Sequence, residues 1–244
     1  MKRIFLFLML LCIAITVRVQ AQGITREDHH APSHFFATAA DLHINGFAIH
    51  FKWGKGDASN LRFYAIDFGK MRHQKEFRYT ANPPYNGFVF GRTNIAMPLN
   101  FGFGKMKALG IRNGKNDVGL SYTLQAGISL ALLKPVYLYI DRKPGTPESN
   151  VELIRYSKES SIEYNNIIGG ASFFTGLNQL SLIPGVFTRA SLVFNWGRYS
   201  GDFHAVETGA MLTAYNKALP LMAITKNNMV YPSVYIAFNL GKYW

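Results

Sequence analysis

Three stretches of the chain gather side chains capable of chemistry. "DHHAPSH" sets His29, His30 and His34 close together. Neutral imidazole is a good ligand for zinc or copper, so such a group could meet a metal ion. No fourth ligand stands at a fixed spacing, and the segment reads as a solvated tail; neither metal nor cofactor is expected. Farther along, His204 and Glu207 could supply the base and the orienting carboxylate of a hydrolytic site whose nucleophile would be a serine. Residue numbers that differ by three fall on opposite faces of a strand, and the spacing brings no serine beside them. No catalytic residue is assigned on this pattern. The third stretch, "KMRHQKEFRY", sets Lys70, Arg72, Lys75 and Arg78 against the acid Glu76. Cations this dense can grip phosphate through charge-assisted hydrogen bonds; the plain alternative is a solvated loop.

Such side chains act only where the backbone holds them, and the backbone signal here is a period of two. In "DVGLSYTLQAGISLALL" the even positions Val118, Leu120, Tyr122, Leu124, Ala126, Ile128, Leu130 and Leu132 are all apolar. Between them stand Gly119, Ser121, Thr123, Gln125, Gly127, Ser129 and Ala131. A helix counted from Leu120 would need apolar residues where Thr123 and Gly127 stand, so the helical template fails. The same alternation carries Phe47, Ile49, Phe51 and Trp53, then Ile95, Met97, Leu99, Phe101 and Phe103, and finally Val234, Ile236, Phe238 and Leu240. Pro98 cannot donate to a ladder and is expected to mark a bulge or irregular pairing. By parity His50, Lys52, Arg189 and Glu207 share the small polar face, either along a solute path or in an internal network of charges. The hairpin register does not set Arg189 opposite Glu207.

Turn signals at Asn45 and Gly46, in "GKGDAS", in "RNGKND" and in "GRYSGD" divide the runs. Counting the weak "SHFFATAADLHI" as a strand gives eight, over about 35–44, 47–55, 60–69, 90–105, 116–132, 184–197, 203–215 and 230–243. With both chain ends on the inner side, short turns near 56, 111 and 200 fall on that side and the long connections 70–89, 133–183 and 216–229 on the other. Short inner turns and long outer loops are the arrangement of bacterial outer-membrane barrels. The 133–183 connection carries five basic and five acidic residues, a balance that points to a folded cap or a docking surface.

Alternation alone does not say which face points in. A soluble barrel turns its apolar face inward around a ligand, whereas a membrane barrel turns it out to lipid. Strand length, a polar face small enough to fill a narrow lumen, and aromatics near strand ends favour lipid. The expected fold is all-β: a transmembrane antiparallel up-and-down β-barrel of eight strands. A lumen of that size is wide enough only for side chains, so an internal network is expected over a path for solutes.

Lys2 and Arg3 ahead of the apolar run from Ile4 to Val17, with Val19 and Ala21 at the small-residue positions, read as an export signal over 1–21. A tail over 22–34 and the barrel over 35–244 follow. Cys12, the only cysteine, falls within the signal, so disulfides and cysteine catalysis are not expected in the mature chain. The net charge of +12 stays basic when Lys2, Arg3 and Arg18 leave with the signal. In an exported protein this points to anionic lipid, lipopolysaccharide above all, rather than to nucleic acid.

Several stretches resemble a family of Bacteroidota outer-membrane barrel proteins: "NGFAIHFKWGK", "RFYAIDFGKMRHQKE", "GISLALLKPVYLYI", "GASFFTGLNQLSLIPGVFTRASLVFNWG" and "NLGKYW". Together they span most of the chain from Asn45 to Trp244; the basic "RHQKE" departs from the family's pattern. The closing strand also resembles the signal read by the barrel-assembly machinery, through Phe238, Leu240 and Trp244. This resemblance brings no catalytic activity. It implies the bacterial outer membrane, a barrel, and service as a structural or docking subunit beside other envelope proteins, in outer-membrane protein assembly or secretion. The alternatives are a small barrel enzyme that modifies lipid A or phospholipid, and a narrow pore.

Overall fold

The computed structural model describes residues 34–57, 60–73, 75–81, 83–109, 118–143, 150–157, 162–197 and 201–244. The export signal, His29 and His30 lie outside these residues. Eight strands form the barrel: β1 (His34–His43), β2 (Gly46–Asp57), β3 (Asn60–Met71), β4 (Asn94–Ala108), β5 (Gly119–Pro135), β6 (Ser181–Asn195), β7 (Asp202–Tyr215) and β8 (Val230–Tyr243). Each pairs antiparallel with its chain neighbours, and β1 meets β8 from Phe35 opposite Tyr243 to His43 opposite Tyr235. The weakly patterned first strand is therefore the closing seam. Its pattern is weak because its outer face mixes Phe36 and Leu42 with the smaller Thr38 and Ala40.

β4 and β5 begin a few residues later than the alternation suggests. Thr93 and Asn94 are claimed by the 216–229 connection: the Thr93 amide donates to Leu221 O at 2.9 Å and Asn94 Nδ2 to Pro220 O at 2.6 Å. The ladder then starts with Asn94 opposite Pro135, which extends β5 to that proline. Pro98 produces no bulge. Phe68 opposite Leu99 and Met71 opposite Ala96 keep one register on both sides of it, while the pairing at Gly69 and Lys70 lapses.

The apolar face points outward. Phe51, Ile66, Phe101, Ile128 and Val186 are successive register partners across β2 to β6, a continuous row on the outer wall, and Ile128 within it is 56% exposed. The residues between them on β5, Thr123, Gln125 and Ser129, are buried in the lumen. A soluble barrel would hide such a row, and hydrocarbon is the solvent that accepts it, since a closed barrel leaves no unpaired backbone edge in lipid. Toward the end where His34 meets Trp244, the register partners Trp53, Tyr64 and Phe103 lie in a row along the wall with tilted rings, their centroids 6.3 and 5.5 Å apart. With exposed Trp196 and Trp244 they make an aromatic girdle.

The lumen is filled in layers. At the His34 end Phe35, Leu61, Phe63, Val193 and Phe203 pack together, and at the other end Leu133, Ile183, Tyr215, Leu219 and Leu221 do so. Charged and amide side chains occupy the space between. Above the second apolar layer the three long connections form one cap. Tyr137–Asp141 is the central strand of a small sheet flanked by Val151–Arg155 and Ile167–Gly170. Arg78–Tyr79 pairs with Phe88–Val89 in the 72–93 connection. Phe88, Leu138, Ile140 and Tyr156 give the cap its own core, and bridges from Asn86 to Gly170 and from Arg92 to Met222 tie the three connections together.

Candidate functional site

Two groups of polar side chains could carry function: the charges inside the barrel and the cations at its cap end. Arg189 on β6 is 1% exposed and donates from Nη2 to Asp41 Oδ2 on β1 at 2.9 Å, with Asp67 Oδ2 of β3 at 3.8 Å. Its guanidinium lies 4.4 Å over the Tyr235 ring. The other oxygen of Asp41 is 2.8 Å from His50 Nδ1, and His50 Nε2 is 3.3 Å from Asn239 Oδ1. Glu207, 0% exposed, accepts from Lys52 Nζ at 2.5 Å, from Ser191 Oγ at 2.8 Å and from Tyr235 Oη at 2.7 Å. Alternation on β2, β6 and β7 aims His50, Lys52, Arg189 and Glu207 inward as parity requires; His50 and Arg189 share Asp41, while Lys52 and Glu207 pair with each other. Arg189 and Glu207 are not a pair.

Asp41 and Asp67 escaped the sequence reading. Parity offered a signal for both, because Asp41 follows Ala37 and Ala39 on the inner face, and Asp67 follows Phe63 and Ala65. No hydrolytic relay forms from the sequence candidates. Glu207 faces in while His204 faces out, Ser191 bonds Glu207, and both nitrogens of His50 face Asp41 and Asn239 rather than a serine. Beneath the cap-end apolar layer a cavity of about 50 Å³ touches Asp67, Asn100, Arg189, Thr213 and Ser233. That volume suits a few water molecules and no lipid. A lumen filled by side chains predicts planar-bilayer recordings indistinguishable from protein-free bilayers; stepwise channel openings would refute the filling.

The second group lies at the outer end of β3. Lys70 has Arg72, Arg78 and Arg92 close enough to act on its charge, and Lys134 on β5 feels Lys70 in turn. The structure thus brings together Lys70, Arg72 and Arg78 of the expected cluster. Lys75 is exposed, and its amide donates to His73 Nδ1 at 3.2 Å. Arg92, which pairs with Glu76, and Lys134 join the group from other connections. Burial, and after it the charge of Arg72, pulls Arg92 below the usual guanidinium range, to about 10. Lys134 is 2% exposed; its ammonium donates to Pro135 O at 3.3 Å and sits 5.6 Å over the Phe173 ring. No carboxylate pairs with it among the described residues.

At the opposite end, Phe238 and Leu240 on β8 point outward and Trp244 is exposed. The Trp244 ring stacks on His34 at 6.0 Å, and the two residues exchange main-chain hydrogen bonds of 2.8 and 3.0 Å across the seam. No protein-family model matches the chain, and no curated protein does. Among solved structures the chain is similar to Ail, the attachment invasion locus protein of Yersinia pestis, in complex with the heparin analogue sucrose octasulfate. The two share 9% identity with a TM-score of 0.33, over 87% of this chain and 97% of that one.

Proposed function

We propose that the chain is a non-enzymatic barrel of the bacterial outer membrane, serving as a structural or docking subunit for other envelope proteins. Assembly of outer-membrane proteins or secretion is the process implied by the resemblance to Bacteroidota barrels. The observation that carries this reading is the contrast between a filled lumen and a folded cap with apolar side chains in the open. Filled barrels leave no room for a substrate. On the cap, Phe77, Phe174 and Ile224 stand exposed, and the strand Val151–Arg155 keeps one edge unpaired among the described residues, with Val151 and Leu153 exposed on it. Large apolar side chains on a folded surface are what a protein partner covers, and an open edge can be extended by a partner's strand. Phe238, Leu240 and Trp244 are the residues that the assembly machinery would read on the closing strand.

The test is extraction of the tagged chain from its native membrane in mild detergent. At least one other envelope protein is expected to co-purify in fixed ratio, and Phe174→Ser with Ile224→Ser should release it while the barrel stays folded. Recovery as a lone monomer would sink the docking role.

A further inference from the structure

The outer wall changes character abruptly at the cap end of β3. Phe68 and Phe47 face lipid there, and Lys70 is the register partner of Phe47, on the same face and two residues beyond Phe68. Alternation sends Arg72 the same way, and Arg72 and Arg78 are both exposed. Behind them stand Arg92 and the buried Lys134, so among the described residues five cations meet one carboxylate that pairs with any of them, Glu76, which Arg92 engages. Like charges packed this closely repel, and the zone just above an apolar belt is where a lipid headgroup lies. An aqueous anion would need no apolar wall beside it, whereas a phospholipid or glycolipid phosphate anchored by acyl chains along Phe47 and Phe68 fits both halves of the site.

We infer that Lys70, Arg72 and Arg78 bind the phosphate groups of a membrane glycolipid in the leaflet on the cap side. Arg92 and Lys134 raise the positive potential from behind without touching the lipid. Arginine forks and the lysine ammonium supply charge-assisted hydrogen bonds to phosphate oxygens, and salt screens the half-buried Lys70 less than the exposed Arg72 and Arg78. The site rests on the outer-membrane reading only in the choice of a glycolipid. It needs no protein partner, so a chain that purifies alone could still hold its lipid.

Native mass spectrometry of the full chain, released from micelles doped with one lipid at a time, tests the inference. The probes are a bis-phosphorylated glycolipid, the same glycolipid without phosphates, a zwitterionic phospholipid, and inorganic phosphate without lipid. The wild-type chain is expected to retain the phosphorylated glycolipid in preference to the others. Lys70→Gln with Arg72→Gln should weaken that retention by about tenfold or more, and Lys75→Gln by less than about twofold. Unchanged heat-dependent gel migration confirms that each variant keeps its barrel. Equal retention of the dephosphorylated glycolipid, equal binding of free phosphate, or an unaffected double variant would each overturn the assignment.

Discussion

Glu207→Ala is expected to destabilise the barrel by about 3–5 kcal/mol, read by urea titration of protein refolded into lipid vesicles. Its carboxylate accepts from Lys52, Ser191 and Tyr235 in a layer closed above and below by apolar side chains. Removing it leaves the Lys52 ammonium buried with no counter-charge, and that residual charge, more than the lost bond, sets the size of the effect. Lys52→Met combined with Glu207→Ala should therefore recover about 2 kcal/mol of the loss. The recovery stays partial because the Ser191 and Tyr235 hydroxyls still lack their acceptor. Strict additivity of the two substitutions would show that the pair is not coupled and that water reaches the layer.

Ile128→Arg is expected to cost about 2–4 kcal/mol in the same titration, the penalty for a cation near the midplane on a lipid-facing wall. Ile128 lies in the middle of β5 between Phe101 and Val186, its partners on either side. On a water-soluble barrel so exposed a position would tolerate arginine within about 0.5 kcal/mol. The two outcomes are well separated, which makes this one substitution a direct reading of what surrounds the barrel. Folding yield into vesicles, followed by the faster migration of the unboiled barrel, should fall in parallel.

Much of this architecture is legible in the alternation, and particular residues show where legibility stops. On β5 each residue's side follows from its parity, because a strand has only two faces and one of them must be lipid. Parity also sends Arg189 and Asp41 inward, yet they stand 148 residues apart on β6 and β1. Their pairing depends on closure, which folds distant walls against each other across a narrow lumen, and no local pattern encodes that distance. Lys134 shows the opposite failure. Its parity is outward and predicts exposure, but Phe173 from the 136–180 connection packs over it. A connection of that kind has no period to read. Lys70 and Lys75 looked equivalent in "KMRHQKEFRY"; the end of β3 at Met71 separates them, fixing the first beside lipid and leaving the second beyond the wall.

The knitting of the cap carries an evolutionary consequence. Surface loops of a barrel are ordinarily free to change one at a time, because each answers only to its own pair of strands. Here the Asn86 bridge to Gly170 and the Arg92 bridge to Met222 make the connections after β3, β5 and β7 answer to one another. A substitution at Leu138 or Phe88 is felt in its neighbours, so the three should drift as a single unit of selection rather than as three independent ones. The capping connections would then be among the slowest parts of the molecule to diverge, and exchange of one loop between relatives should fail where exchange of all three together succeeds.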